Sequence, residues 1–385
     1  MNFEKMTRYL DSILDLGVPG VDCIIMHGYD TVYRHQAGYS DREAKIPMNG
    51  REAFFIYSNT KVLTCTAIMQ LVEAGIIVLN DPISKYLPEF KDMQVLLHSG
   101  NGEVCLTPAR GTLSPAHTPI TFRHLMSMTA GLDYNLTSPA ILEVQQKTNG
   151  RAPTREVVRA LASQPLHFNP GTHWHYSLCH DVLGALIEVI SGQSLGQYFQ
   201  EHILDPLEMT HTGFRHGHDL PDNMMAQYCW DYKTNTVSRI PLENEYILGS
   251  EYESGGAGLV STVEDYAKFV QALANGGRSP RGQQILSPAS IELMRTNQLT
   301  GDQWGDFNWP WFAGYGYGLG VRTMMDRAKG GALSPVGEFG WGGAAGTYAL
   351  IDPENHISMF YAQHMRESLE WDIHPRLRNV LYGCL

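Results

Sequence analysis

Tyr57-Ser58-Asn59-Thr60-Lys61 opens an apolar run, Val62, Leu63, Ile68, Met69, Leu71 and Val72, that keeps helical spacing and stops at Gly75. In a helix, residues i and i+3 share a face one turn apart, so the Lys61 amine and the Ser58 hydroxyl are placed to hydrogen-bond. Serine alone is a poor nucleophile. A lysine held neutral by burial can take its proton, and the unpaired N–H groups of a helix N-terminus face any anion that forms beside it. S-x-x-K is a short pattern, prone to accidental matches. Here Lys61 is the only lysine with a serine three positions before it, so no second match competes.

The rest of the chain narrows what such a nucleophile serves. With 385 residues and 43% hydrophobic content, the sequence has ample volume for a core. It carries 28 basic against 40 acidic residues, a net charge of −12, with no basic run. Nucleic acid and anionic membrane surfaces are therefore excluded as expected partners. No apolar stretch is long enough to span a bilayer. At the start, Phe3, Met6, Leu10, Ile13 and Leu14 follow helical spacing up to Gly17 rather than forming a signal peptide, so a cytoplasmic protein is expected. Cys23, Cys65, Cys105, Cys179, Cys229 and Cys384 form no C-x-x-C pair and read as free thiols, mostly buried. His173, His175 and His180, and again His211, His216 and His218, lie close in sequence, but no H-E-x-x-H and no carboxylate at ligand spacing accompanies them. Neither a metal nor another cofactor is expected.

Two hairpins bracket the chain. Val21 to Met26 and Thr31 to Ala37 flank the turn His27-Gly28-Tyr29-Asp30; Thr347 to Ile351 and Ile357 to Ala362 flank Asp352-Pro353-Glu354-Asn355. Between them helical patterns dominate. Thr121 precedes Phe122, Leu125 and Met128 before Gly131; Asp181 to Ile190 carries Val182, Leu183, Leu186, Ile187 and Ile190 before Gly192. Ser261-Thr262-Val263-Glu264 has the capping-box form ahead of a helix ending at Gly276, and Pro375 is expected in the first turn of a last helix. The predicted fold class is α/β of the α+β type: an antiparallel sheet built from both chain ends and flanked by helices, with a mostly helical domain inserted. The expected sheet domain spans 1–75 and 230–385 and the insertion 76–229, with a cleft between. Trp304 to Gly320 packs seven aromatic residues among glycines, readable either as a wall for an apolar acyl group or as core.

Two further stretches match the needs of a serine nucleophile. Trp174-His175-Tyr176-Ser177-Leu178 stands just before the helix of Asp181, where the Tyr176 phenol can project beside Lys61 and share its proton, so that one group or the pair serves as base and then acid. Phe339-Gly340-Trp341-Gly342-Gly343-Ala344-Ala345-Gly346 leads into an apolar strand. Glycines on a strand edge let a substrate approach the backbone, and an N–H from that edge opposite the Ser58 N–H completes an oxyanion hole. Gly192-Gln193-Ser194-Leu195-Gly196 imitates the G-x-S-x-G elbow, but a helix rather than a strand precedes it; Ser194 reads as flanking a helix.

In this order the three stretches resemble the serine β-lactamase and penicillin-binding-protein superfamily, especially its class C β-lactamase-like branch and, within it, the family VIII carboxylesterases. The resemblance runs through Leu79-Asn80-Asp81-Pro82-Ile83, Phe168-Asn169-Pro170-Gly171, Pro206-Leu207-Glu208-Met209 and Gly255-Gly256-Ala257-Gly258. It implies Ser58 as the acylated nucleophile, Lys61 and Tyr176 as base and acid, the Ser58 and Ala344 amides as oxyanion hole, and Leu178, Trp341, Gly342 and Gly343 at the substrate. Leu178 replaces the asparagine of the β-lactamase Tyr-x-Asn motif, and Trp341 replaces the lysine that begins their strand motif. Losing a charge-assisted contact costs on the order of 1.5 to 3 kcal/mol. The expectation is a serine hydrolase of small or medium acyl esters, acting on a small-molecule ester or amide. A β-lactamase, a D-amino-acid peptidase, an acyltransferase and a non-hydrolytic penicillin-binding-like sensor stand as alternatives, and the oligomeric state is left open.

Overall fold

The computed structural model describes residues 1–97 and 112–385; Cys105 lies outside them. The first apolar stripe forms helix α1 (Glu4–Ile13), which buries Met6, Leu10 and Ile13 before Gly17 turns the chain at φ +91°. Strands β1 (Gly20–His27) and β2 (Asp30–Asp41) follow, joined by the tight turn Gly28-Tyr29, and then β3 (Ile46–Pro47). The C-terminal third supplies β4 (Tyr315–Tyr317), β5 (Arg322–Met324), β6 (Phe339–Gly340), β7 (Tyr348–Asp352) and β8 (Ile357–Ala362). These strands make one antiparallel sheet in the order β4-β5-β6-β7-β8-β1-β2-β3. Its seam is the pairing of β1 with β8, where Cys23, Ile24 and Ile25 face Tyr361, Phe360 and Met359. The two ends of the chain meet, the Asn2 N–H donating to the Cys384 carbonyl at 3.1 Å.

Both faces of the sheet are covered, which is why β1 is apolar at consecutive rather than alternate positions. The other principal helices are α2 (Thr60–Glu73), α3 (Cys179–Ser191), α4 (Val263–Ala274) and α5 (Glu370–Tyr382). Val21, Cys23 and Ile25 pack with Met6 and Leu10 of α1 and with Ile373, Leu377 and Leu381 of α5. Ile24 and Met26, on the opposite face, join the larger core that includes Phe269, Val270 and Leu273 of α4 and the apolar side chains of α2 and α3. Each such aliphatic or aromatic side chain contributes about 1.5–3 kcal/mol on full burial. A second, small sheet has Leu259–Thr262 in its centre, with Ala53–Phe55 on one side and Gly213–Phe214 on the other, so the middle of the chain lends a strand to the segment that leads into α2.

Three local expectations need correction. The helix capped by Thr121 ends at Met126, and Gly131 instead occupies a left-handed position where a Cβ would meet the Phe168 carbonyl oxygen at 2.5 Å. Thr262, not Ser261, caps α4 by accepting from the Asp265 N–H at 3.1 Å; Ser261 remains in its strand, hydrogen-bonded to Thr212 at 2.7 Å. Pro375 lies inside α5 rather than in its first turn, because the apolar stripe of Ile373, Leu377 and Leu381 extends the helix back to Glu370. Among the described residues no helix is long and apolar enough to cross a membrane, and no group of three or more His, Cys, Asp or Glu is placed to hold a metal ion.

The strands beneath the glycine-rich edge are fastened by buried charge. Arg322 on β5 and Glu338 pair at 3.0 Å with side chains 1% and 0% exposed, and Arg322 also donates to the Ala349 carbonyl of β7 at 3.1 Å. Removing one member of a buried pair leaves the other uncompensated. Glu338→Ala is therefore expected to lower the unfolding free energy by about 3–5 kcal/mol in a urea melt; a loss under about 1 kcal/mol would show that Arg322 is stabilised by other groups.

Candidate active site

From Glu52 to Met69 every residue is buried except Ser58. The strand Ala53–Phe55 leads into a single 3-10 turn, Tyr57–Asn59, and α2 begins at Thr60. The Ile56 N–H donates to the Leu259 carbonyl at 3.1 Å, fixing the turn to the small sheet. Tyr57 holds φ at +45°, a left-handed conformation that costs a non-glycine residue on the order of 1–3 kcal/mol. Its buried ring is anchored by a hydrogen bond to Gln227 Oε1 at 2.7 Å and an edge contact with Tyr246. The strained residue thus presents the next side chain, Ser58, to the open side.

Two donors reach the Ser58 oxygen. Lys61 Nζ lies 3.1 Å from Oγ and the Tyr176 hydroxyl 2.8 Å from it. Lys61 also donates to the Gly256 carbonyl at 2.7 Å, and its nitrogen sits 4.7 Å from the centre of the Tyr176 ring. Burial pushes the Lys61 pKa down to about 8, although the carboxyl of Asp181 pulls the other way. Asp181 itself is buried, accepts from Tyr252 at 2.8 Å and Ser254 at 2.6 Å, and is shifted upward by that burial. Burial also raises the Tyr176 phenol above its usual range, against the hydrogen bonds it makes with Ser58 and Trp341. At neutral pH the phenol consequently keeps its proton while the amine lies close to losing one.

The glycine-rich edge closes the other side. Thr347 accepts from Asn59 Nδ2 at 2.8 Å and donates to the Ile56 carbonyl at 3.3 Å, stitching β7 to the serine turn. Gly343 must be glycine for that approach, since a Cβ there would stand 2.2 Å from Thr347 Oγ1 and 2.4 Å from the Ile56 oxygen. Among the described residues, neither the Ser58 nor the Ala344 N–H donates a hydrogen bond within the protein. Ser58, Tyr176, Trp341, Gly342, Gly343 and Ala344 all line one cavity of about 220 Å³, completed by Tyr134, Tyr246, Trp309, Phe312, Tyr348, Glu370 and His374. Trp341 stacks on Tyr176 with ring centres 5.8 Å apart and donates its indole N–H to the phenol at 3.2 Å; Tyr134 stacks on Tyr176 at 5.6 Å.

A family model described as beta-lactamase matches residues 5–376. The chain belongs to the β-lactamase family. It is 31% identical over 372 residues to protein Rv1367c of Mycobacterium tuberculosis, covering 94% of this chain and 90% of that one. It is 28% identical to esterase EstB of Burkholderia gladioli, across all of this chain and 97% of that protein. Among solved structures it resembles EstCE1, described as a hydrolase with promiscuous acyltransferase activity, with a TM-score of 0.78 at 26% identity over 99% of each chain. The expected β-lactamase/transpeptidase-like fold and the esterase-like side of the β-lactamase family agree with these likenesses.

Most of the residues singled out from the sequence converge; Leu178 does not. Its side chain is 2% exposed, joins the main core at the start of α3 and does not line the cavity. Ser194 caps a short helix by accepting from the Gln197 N–H at 3.2 Å, and it too lies outside the cavity. The aromatic stretch divides: Phe307, Tyr315 and Tyr317 are core, whereas Trp309 and Phe312 face the cavity. Sequence reasoning missed Asp181, Tyr134, Tyr246, Tyr348, Glu370 and His374. Only Asp181 carried a signal, as an acid in the first turn of a helix that follows Tyr176.

Burying an amine has a stability cost whose sign is fixed by linkage. The folded pKa of Lys61, about 8, lies below the ordinary lysine value of 10.5, so the unfolded chain binds more protons between these limits and stability rises with pH there. Below about pH 8 the cost is on the order of 3 kcal/mol. Lys61→Met is expected to stabilise the fold at pH 7 by about 1–3 kcal/mol while abolishing turnover, with the stability gap narrowing from pH 8 to 10. Equal or lower stability of the variant in a denaturant melt at pH 7 would contradict this.

Proposed function

We propose that this chain is a serine carboxylesterase that cleaves small or medium acyl esters through a covalent acyl-enzyme on Ser58. The observation that carries the reading is the double approach to the Ser58 oxygen, by Lys61 at 3.1 Å and Tyr176 at 2.8 Å, on the floor of an aromatic cavity. In this mechanism neutral Lys61 takes the Ser58 proton as Oγ attacks the ester carbonyl. The negative charge on the carbonyl oxygen is met by the Ser58 and Ala344 N–H groups, each such donor being worth about 100- to 1,000-fold in rate. Collapse of the adduct breaks the bond to the alcohol oxygen, which takes its proton from the Lys61 and Tyr176 pair. Water then enters, gives a proton to the same pair and releases the acid, restoring the Ser58 hydroxyl.

The ester preference rests on what surrounds the serine. Trp341 and the neighbouring rings make an apolar wall where a carboxylate-bearing β-lactam or peptide terminus needs a cation. The likeness to EstB and EstCE1 supports the same substrate class. Transfer of the acyl group to an alcohol is a second reading, favoured by the acyltransferase activity in the description of EstCE1. Added ethanol or a longer alcohol would then form a new ester at the expense of free acid.

The direct test is the initial rate of p-nitrophenyl butyrate hydrolysis by the wild type, Ser58→Ala and Ser194→Ala. Ser58→Ala is expected to lose at least about a thousandfold, and Ser194→Ala less than about threefold, since a lost cap affects stability by only about 1 kcal/mol. Loss in Ser194→Ala alone would overturn the assignment. Because the reactive form has an uncharged amine, kcat/KM is expected to rise about tenfold per unit up to about pH 8 and then level off. A flat profile from pH 6 to 9 would remove Lys61 as the base.

A further inference from the structure

The cavity contains one carboxyl with no evident task in the mechanism. Glu370 is the first residue of α5 and lines the same cavity as Ser58. The chain reaches it through Glu367 at φ +52° and Leu369 at φ +56°, two left-handed non-glycine residues that fix its place. Burial lifts its pKa to about 7, with the nearby Glu367 adding to the shift and, among the described residues, no cation or hydrogen-bond donor opposing it. The neighbouring cations are engaged elsewhere. Arg366 pairs with Glu245 at 2.5 Å and lies over the rings of Tyr57 and Tyr246, while Lys61 is taken up by Gly256 and Ser58. His374, one turn along α5, donates its Nε2–H to the Gly346 carbonyl at 3.3 Å and is held neutral, burial driving its pKa to about 3.

The same carboxyl borders a second space. Glu370, Ala344 and Tyr246 also line an adjoining groove of about 290 Å³ that carries the rings of Tyr232, Trp311 and Trp371; Glu367 and Arg366 line it too, the Arg366 guanidinium being paired with Glu245. Tyr232 and Trp371 are each 50% exposed and meet at the rim, indole N–H to phenol, at 3.4 Å. A carboxyl that makes no ion pair among the described residues, set among aromatic faces, is when ionised the arrangement that attracts an alkylammonium group through charge and through the ring quadrupoles together. The net charge of −12 adds attraction for cations at longer range.

We propose that Glu370 determines specificity by admitting an ammonium group on the substrate and turning away a carboxylate. This rests on the ester-hydrolase reading of the Ser58 site. Two pairs of esters matched in shape test it: choline butyrate against 3,3-dimethylbutyl butyrate, and the p-nitrophenyl esters of 4-(trimethylammonio)butyrate and 5,5-dimethylhexanoate. They place the cation on the alcohol and on the acyl side respectively. The wild type is expected to favour the cationic member of at least one pair by about tenfold or more in kcat/KM, mainly through KM, and Glu370→Gln to reduce that ratio below about threefold. Glu370→Asp, keeping the charge, should retain part of the preference, which separates charge from a change of packing. A ratio near one in both pairs, or one that survives Glu370→Gln, overturns the proposal.

Binding without turnover keeps this result distinct from the reaction itself. In calorimetric titration with choline butyrate and 4-(trimethylammonio)butyrate ethyl ester, Ser58→Ala is expected to bind at least one of them about fivefold or more tightly than Ser58→Ala/Glu370→Gln. If the wild type hydrolyses no ester but this difference is found, the esterase reading fails and the cation subsite stands. If esters are hydrolysed but no difference appears in rate or binding, the subsite fails alone.

Discussion

A buried amine is the constraint around which the rest is arranged. Lys61 is 0% exposed, and a charged or even neutral amine in that position has to be satisfied by groups fixed in space. The Gly256 carbonyl and the Ser58 oxygen satisfy it, while Asp181 supplies charge from behind. That arrangement leaves little freedom to its surroundings. A Cβ on Gly256 would sit 2.6 Å from Asp181 Oδ2 and 3.5 Å from Lys61 Nζ, so the residue is glycine. Asp181 in turn has its hydrogen bonds supplied by Tyr252 and Ser254. α2, which carries the amine, is buried nearly all round, which explains why its sequence is apolar or threonine on faces that a surface helix would give to charges.

The aromatic cavity follows from the same logic of exclusion. An apolar surround raises the Tyr176 phenol above its usual range, and Trp341, Tyr134 and Trp309 provide it by stacking or by edge contact. The rings face the cavity beside the serine, yet polar tips remain: the phenol, the indole N–H and the backbone amides of the glycine-rich edge. Aromatic side chains suit this because each offers a large apolar face with a single hydrogen-bonding handle. The wall is therefore both solvent barrier and hydrogen-bond frame.

How much of this could be read beforehand depends on range. S-x-x-K was legible because its partners are one turn apart, and the hairpins because alternation and turn residues are local properties. Gly343 was legible as a glycine on a strand edge, though the atom it makes room for, Thr347 Oγ1, was not. Pro375 and Ser261 misled by short-range preference: the helix limits were decided instead by the apolar stripe of α5 and by the strand that holds Ser261. Leu178 occupies a motif position, but at the start of α3 its side chain turns into the core. Glu370 and His374 left no trace in the sequence, since they reach the cavity from a helix more than three hundred residues after Ser58 and share no spacing with it.

The sheet's seam has a consequence for the order in which the candidate site is assembled. β1 pairs with β8, and Ser58 shares its cavity with Trp341 and Gly343 while Thr347 ties the serine turn to the strand edge, so the two walls of the cavity come from segments far apart in the sequence. A nascent chain emerging from the ribosome holds Ser58 and Lys61 long before it gains the glycine edge, Trp341 and α5. Long-range pairing of this kind slows folding and leaves apolar strand edges waiting for partners. The cavity beside Ser58 is therefore complete only once the segments through α5 are in place, and a fragment that stops before Trp341 carries Ser58 and Lys61 without that enclosure.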